Sequence, residues 1–279
     1  MAILEERFSL DHQVAVVTGG TGAIGRVMAF ALAAAGAHVA VLARDLSRCQ
    51  KVAQGISDTG AEALGIAADV LQPSQLEQAR SLILDRWGKV DILVNAAGGN
   101  IPAATISGND SFFDIAPEAF QHVVDLNLNG TIFPCQIFGS AMVERSEGLP
   151  PHGCIVNISS MAAQRALTRV AGYSAAKGAI ESFTRWLAVD LARRFGPGMR
   201  VNAIAPGFFL GDQNRAMLVQ PSGDLTARGE QIVAHTPAGR FGETTELVST
   251  LLWLCGPGAG FVNGIVVPID GGFSAFSGV

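Results

Sequence analysis

Short apolar runs alternate with longer amphipathic stretches from one end of this chain to the other. Val14–Thr18 is the first apolar run and predicts a strand; Ile24–Ala35, rich in alanine and closed by Gly36, predicts a helix. The alternation continues with a strand over Val39–Ala43, a polar helix over Leu46–Thr59 and a strand over Ala63–Asp69. Pro73 opens the next helix, at a position where proline's missing N–H costs nothing. Ile92–Asn95 is a fourth strand, followed by a long helix from about Glu118 to Glu144. Cys154–Ser159 and Arg200–Ile204 are strands on either side of a helix over Gly172–Phe195; a helix over Thr244–Cys255 precedes the last strand, Ile265–Ile269.

The strands are apolar on both faces, so both faces must be covered. Strands alternating with helices under that constraint predict an α/β fold: a Rossmann-type doubly wound parallel sheet of about seven strands with helices on both faces. No internal repeat or low-complexity linker divides residues 1–279, and Pro150-Pro151 reads as a turn, so a single domain is expected. The least regular stretch, 206–240, reads as a mobile loop or small helical lid beside the site.

Composition narrows the picture. Hydrophobic residues make up 49% of the chain and charged residues 15%, which suits a buried core and not disorder. A net charge of −5 argues against nucleic acid or an anionic membrane as partner. The apolar start, Met1-Ala2-Ile3-Leu4, is broken at once by Glu5, and no apolar run reaches the roughly 18 residues of a membrane span. Cys49, Cys135, Cys154 and Cys255 are scattered, and the five histidines form no metal motif. A cytoplasmic protein without a bound metal is expected, acting on a small molecule.

The chain's single tyrosine, Tyr173, lies four residues before Lys177. On a helix these two share a face, and the ammonium is expected to lower the phenol's pKa from about 10 toward the range of an acid–base catalyst. The first strand runs into Thr18-Gly19-Gly20-Thr21-Gly22-Ala23-Ile24-Gly25 and then a helix. Such a turn lets backbone approach a pyrophosphate at a helix N-terminus. Two registers fit: Gly20, Gly22 and Gly25, or Gly19, Ala23 and Gly25. An ordinary strand–helix turn would also use glycine, but the flanking elements favour the phosphate reading. The second strand ends at Arg44-Asp45. An acid there would hold the ribose diol of NAD, and an arginine would meet the extra phosphate of NADP. The chain offers both, or the pair bridges itself; Arg44 tilts the choice toward NADP without excluding NAD.

Taken together, these segments resemble the short-chain dehydrogenase/reductase family over nearly the whole chain. Thr18–Gly25 resembles the family's cofactor turn, with Ala23 where glycine is usual. Asp69-Val70 resembles its adenine-contacting pair, Asn95-Ala96-Ala97-Gly98 its N-x-A-G segment, and Pro206-Gly207 the turn beside the nicotinamide. The resemblance implies dinucleotide contacts from Gly19, Thr21, Gly22, Ile24, Gly25, Arg44, Asp45, Asp69, Val70, Asn95, Ala97, Gly98, Tyr173, Lys177, Pro206 and Gly207. It also implies roles in a hydride transfer between nicotinamide and a secondary alcohol or ketone. Tyr173 would donate or accept the proton, and Lys177 would tune it and bind the ribose. Ser160, thirteen residues before Tyr173, would hold the substrate oxygen; strand alternation sends its rival Ser159 to the other face. Asn127 would position a water that links Lys177 to solvent, unless it is simply a buried amide bonded to backbone. The family's threonine beyond Pro-Gly is missing from Phe208-Phe209-Leu210-Gly211-Asp212.

Within the family, Gly98-Gly99-Asn100-Ile101-Pro102, Gln213-Asn214-Arg215, His235-Thr236-Pro237 and Gly271-Gly272-Phe273-Ser274 resemble the D-mannonate oxidoreductase (fructuronate reductase) type. A sugar acid needs a cation for its carboxylate and amides for its hydroxyls. Arg165, Arg169 and Arg215 are candidate cations, and Asn100, Gln213 and Asn214 candidate amides; Arg165 and Arg169 read equally well as surface charges. Another polyol, sugar or 3-oxoacyl substrate is the alternative, and a non-catalytic nucleotide-binding regulator a remoter one. Gly172-Tyr173-Ser174-Ala175-Ala176 only imitates a hydrolase elbow, because its last glycine is missing. The family resemblance implies a homotetramer or dimer. The two long helices would form one interface. The tail at Phe273-Ser274-Ala275-Phe276 is expected to be buried at another, since its two aromatics would otherwise face water.

Overall fold

The computed structural model describes residues 6–108, 110–144, 150–211 and 215–278. Seven parallel strands form one sheet: β1 Val14–Thr18, β2 His38–Ala43, β3 Ala63–Ala67, β4 Ile92–Asn95, β5 Gly153–Ile158, β6 Met199–Pro206 and β7 Val266–Ile269. Their spatial order is β3-β2-β1-β4-β5-β6-β7. The order reverses between β1 and β4, which are paired through Val17 and Val94. At such a reversal the flanking connections leave in opposite directions and open a crevice at the strands' carboxyl ends.

Each strand feeds both faces with period two. Ala15 and Val17 of β1 pack with Met28 and Leu32 of helix α1 (Ala23–Ala34) and with Ile56 of α2 (Leu46–Ser57). Val14 and Val16 point the other way, toward Leu76 and Ile83 of α3 (Pro73–Trp87). Burial of each such side chain contributes about 1.5–3 kcal/mol, which is why strands this apolar hold the centre of the sheet.

The expected helix over Glu118–Glu144 is interrupted. It divides into α4 (Pro117–Val124), a π-helical turn over Asp125–Asn129 and α5 (Gly130–Val143), with Pro134 inside α5. A π turn inserts one residue without ending the helical path, so hydrophobic periodicity does not register it. The insertion carries Asn127. After β5 comes α6 (Ala171–Phe195). Asp69 falls outside β3 because its carboxylate turns the chain, accepting from the Leu71 N–H at 3.0 Å. Thr244–Leu247 forms a 3-10 turn ahead of the last helix.

The irregular stretch after β6 contains two short helices, α7 (Arg215–Leu218) and α8 (Ala227–His235); the last helix, α9, is Val248–Cys255. Gln213 and Asn214 lie outside the described residues. The tail's aromatics are half-buried within the chain itself. Phe273 meets the ring of Phe208 at 5.4 Å and that of His235 at 6.2 Å, and Phe276 meets His235 at 6.1 Å. No described helix is long and apolar enough to cross a membrane.

Candidate active site

The glycine-rich turn sits at the carboxyl end of β1, at the strand-order reversal. Gly19 has φ +63°, and a Cβ there would lie 2.7 Å from the Ala96 carbonyl oxygen. A Cβ on Gly25 would collide with the Gly19 carbonyl oxygen, whereas one on Gly22 would have 3.3 Å to the same atom. Gly20 is crowded as well, since a Cβ there would fall 2.8 Å from a Val41 methyl, so Gly19, Gly20 and Gly25 all need to be glycine for the turn to close. Gly22 caps α1 with no side chain to occupy the first-turn N–H groups, which stay available to an anion at the positive end of the helix dipole. A backbone cradle that a single methyl would fill, facing an uncapped helix, fits a pyrophosphate. Ile24 walls the neighbouring cavity, and the Thr21 carbonyl receives an Arg48 N–H at 3.3 Å.

Three of the implied cofactor contacts also carry bonds within the chain. Asp45 is the N-cap of α2: it accepts from the Arg48 N–H at 3.1 Å and the Ser47 hydroxyl at 2.9 Å. Those bonds hold its carboxyl below the usual range, with the Arg48 N–H the larger cause. Arg44, beside it, is exposed. Asn95 is buried within the sheet, where its amide donates to the Asn157 carbonyl oxygen at 2.9 Å and to the Cys135 sulfur at 3.2 Å; it ties β4 to β5 and does not wall the cavity. Asp69 is engaged in its own turn, and Val70 is buried with its methyl 2.9 Å from where a Gly130 Cβ would stand. The Ala97 N–H reaches the Thr18 hydroxyl at 3.4 Å.

A cavity of about 360 Å³ opens at this carboxyl edge, at the small end of the range for small-molecule sites. Ser160, Tyr173 and Lys177 share its wall with Gly98, Pro206 and Gly207. Tyr173 and Lys177 lie one turn apart near the start of α6, and Ser160 follows the end of β5. The Lys177 Nζ stands 5.5 Å from the Tyr173 ring centroid and donates to the Ile158 carbonyl at 2.7 Å. The Ser160 hydroxyl bonds the Tyr173 phenol and accepts from the Ala162 N–H at 3.1 Å. Ser159 faces the other way, bonding the buried Glu181 carboxylate at 3.2 Å.

The expectation that Lys177 lowers the phenol's pKa is corrected. Burial raises the Tyr173 pKa, with the Ser160 bond opposing it, and burial drives Lys177 down to about 8. A low-dielectric wall favours the neutral form of both groups. Lys177 thus titrates near physiological pH.

This burial has a stability consequence. Below about pH 8 Lys177 is protonated in both the folded and unfolded chain, and the folded state carries the full desolvation cost, about 3 kcal/mol. The cost fades as pH rises from 8 toward 10.5, where only the unfolded chain still holds the proton. Lys177→Met gives up the Ile158 bond, about 1 kcal/mol. The variant is therefore expected to melt roughly 4–6 °C higher than the parent at about pH 7, with that gain nearly gone at about pH 9.5. Thermal denaturation of both proteins at the two pH values checks this; a variant less stable at pH 7 contradicts it.

Both amide N–H groups of Asn127 are engaged with backbone. Its Nδ2 donates to the Gly99 carbonyl at 2.7 Å and the Val123 carbonyl at 2.8 Å, and its Oδ1 accepts from the Gly99 N–H at 3.1 Å. It clamps the Gly98–Gly99 loop against the π turn. A Cβ on Gly98 would lie 2.7 Å from Asn127 Oδ1 and 3.4 Å from Lys177 Nζ, so only glycine lets these two converge.

The substrate candidates separate. Asn100 lines the cavity; its Nδ2 donates to the Thr105 hydroxyl at 2.7 Å, while its Oδ1 is shut off from solvent with no donor. Arg165 is spent on the tail, donating through both Nε and a terminal nitrogen to the Ser274 carbonyl. Arg169 has φ +82° and donates to the Ile106 carbonyl at 2.7 Å. Arg215 is exposed at the start of α7 and does not wall the cavity. Arg228, which the sequence did not single out, does wall it. It sits in the first turn of α8, in a polar segment that reads as a solvated face until the chain is threaded. Ser174 lies inside α6 with its hydroxyl buried and unpartnered among the described residues, which leaves the hydrolase elbow without a base. A larger open groove, about 950 Å³, runs along the amino edge by Phe30 and Gly36. Its polar groups are engaged elsewhere: Asp11 with Ser9, His38 stacked on Trp87, and Glu62 with Trp87.

Comparison with known proteins gives the same setting. The family model described as enoyl-(acyl carrier protein) reductase, of the short-chain dehydrogenase/reductase type, matches residues 20–274. An "Uncharacterized oxidoreductase UxuB" of Bacillus subtilis is 42% identical, over 97% of this chain and 98% of that one. A Haemophilus influenzae structure described as "a putative D-Mannonate oxidoreductase", with bound NAD, is 38% identical with a TM-score of 0.90, covering 99% of this chain and 100% of its own. A Burkholderia cenocepacia gluconate 5-dehydrogenase in complex with NADP and tartrate is 30% identical with a TM-score of 0.84, covering 98% and 99%.

Proposed function

The chain belongs to the short-chain dehydrogenase/reductase family and is an NAD(P)-dependent oxidoreductase; from that premise we propose that it interconverts a sugar acid and its keto form, of the D-mannonate/D-fructuronate type, with Tyr173 as the general acid and base. The observation that carries this reading is the convergence of Ser160, Tyr173 and Lys177 on the lining of a cavity that also includes Arg228. The sugar-acid names of two similar structures support the substrate class.

The bound dinucleotide supplies or accepts the hydride. Gly19, Gly22 and Gly25 would hold its pyrophosphate, and Pro206 and Gly207, which line the cavity, would hold its nicotinamide end. In reduction, Tyr173 gives its phenolic proton to the carbonyl oxygen while Ser160 holds that oxygen as charge develops. Lys177, titrating near pH 8, replenishes the proton. Asn127 is a positioning residue that keeps the Gly98–Gly99 loop clear of the ammonium. In oxidation the same groups run in reverse.

With Asp45 engaged as a helix cap and Arg44 exposed beside the turn, NADP(H) is the proposed cofactor of choice. We place the enzyme in the cytoplasm, where its four free buried cysteines stay reduced. A homotetramer or dimer is proposed, supported by Trp186 and Val189, which stand 61% and 58% exposed on α6. The segment 206–240 acts as the substrate lid within the one domain.

The test is a panel of sugar acids, polyols and keto-acyl esters, each with NAD(H) and NADP(H), followed by reduced-nicotinamide absorbance. Sugar acids with NADP(H) are expected to give the highest kcat/KM. A polyol or keto-acyl ester ahead of every sugar acid overturns the substrate assignment.

A further inference from the structure

The cavity holds one cation that the hydride-transfer chemistry does not use. Arg228, in the first turn of α8, is half-buried and lines the same cavity as Ser160 and Tyr173. It forms no hydrogen bond or salt bridge among the described residues. Burial and the nearby positive charge of Arg169 both disfavour its protonated form, burial the more. Two guanidiniums held near each other reinforce one another's positive field. Arg169 is fixed there by its bond to Ile106 and by a left-handed backbone, φ +82°, that a non-glycine residue rarely adopts.

An unpaired guanidinium asks for an anion, most favourably a carboxylate that its fork can grip twice. Resting on the sugar-acid reading above, we propose that Arg228 is the specificity-determining residue of the site, binding the substrate carboxylate. Arg165 and Arg215, the other candidate cations, are excluded from this role: Arg165 holds the tail, and neither walls the cavity. The ligand class is a short polyhydroxy carboxylate whose reacting carbon reaches Tyr173 when its acid end is on Arg228. An uncharged alditol of the same length would meet Tyr173 equally well and leave Arg228 unpaired.

The experiment compares the full chain with Arg228→Gln and Arg228→Lys, using D-mannonate and D-mannitol with NADP. For Arg228→Gln, the D-mannonate to D-mannitol ratio of kcat/KM is expected to fall about 10- to 100-fold, mainly through KM for the acid. Arg228→Lys keeps the charge but not the fork and is expected to lose less than about tenfold. A ratio within about twofold of the parent in both variants overturns the proposal. Dinucleotide affinity, read by fluorescence, reports whether each variant is folded.

A second arm separates this proposal from the functional reading on which it rests. Binding of D-gluconate to the protein–NADPH complex is measured by calorimetry. If the parent oxidises neither compound yet binds D-gluconate, and Arg228→Gln weakens that binding about 10- to 100-fold, the anion site stands and the sugar-acid reaction falls. If the parent does not bind D-gluconate, or the variants bind it as well as the parent, the anion site falls.

Discussion

Tyr173→Phe is expected to lower kcat about 10³- to 10⁴-fold in both directions while leaving dinucleotide affinity within about twofold. The substitution removes one oxygen. The ring remains beneath the Lys177 ammonium, so the cation–ring contact at 5.5 Å and the start of α6 are preserved. What disappears is the only phenol in the chain, and with it the Ser160 bond. The groups left on that wall replace it poorly. The Ser160 hydroxyl is too weak an acid, and Lys177 is anchored to the Ile158 carbonyl. Lys177 has the right pKa, about 8, and accounts for the residual turnover. The check is steady-state turnover alongside dinucleotide titration. More than about a tenth of parental turnover would remove Tyr173 from the chemistry.

Gly25→Ala is expected to weaken dinucleotide binding at least about 100-fold and to lower stability by roughly 2 kcal/mol, more than a helical glycine-to-alanine change normally involves. Elsewhere in a helix that change stabilises by up to about 1 kcal/mol. Here the new methyl meets the Gly19 carbonyl oxygen, part of a backbone turn and not a flexible side-chain end. Gly19 cannot retreat, because it is itself packed against Ala96 and Ala97 at the end of β4. The turn must open, and the N–H groups at the start of α1 then lose their aim. Dinucleotide titration and chemical denaturation of the variant check both parts. Binding within tenfold of the parent would mean that the pyrophosphate lies elsewhere.

Most of the fold is legible in the sequence because buried parallel strands print contiguous apolar runs. β1, β4 and β5 are buried along their whole length, and their runs carry no competing period. The break at Asn127 is not legible, since a π turn preserves the helical path that periodicity detects. The end of β3 is misplaced because Asp69 acts through a side-chain turn, which hydropathy does not weigh. The site divides along the same line. Ser160, Tyr173 and Lys177 are local to two adjoining elements, so spacing alone brings them together. Asp45 and Asn95 have the right type and place for cofactor contacts, but one Asp45 oxygen caps a helix and the Asn95 amide nitrogen bonds a neighbouring strand. Arg165 and Arg228 exchange prominence for a tertiary reason: the tail crosses the first and leaves the second facing the cavity. No local pattern separates two exposed-looking arginines so far apart in the chain.

The most direct test of the account is transfer of label. Protein is incubated with D-fructuronate and NADPH deuterated at its hydride-bearing carbon, and the product is read by mass spectrometry. The account predicts deuterium on the newly formed carbinol carbon of D-mannonate, at a rate that falls at least about 10³-fold with Tyr173→Phe. Unlabelled product, or label transferred as fast by the variant as by the parent, contradicts it.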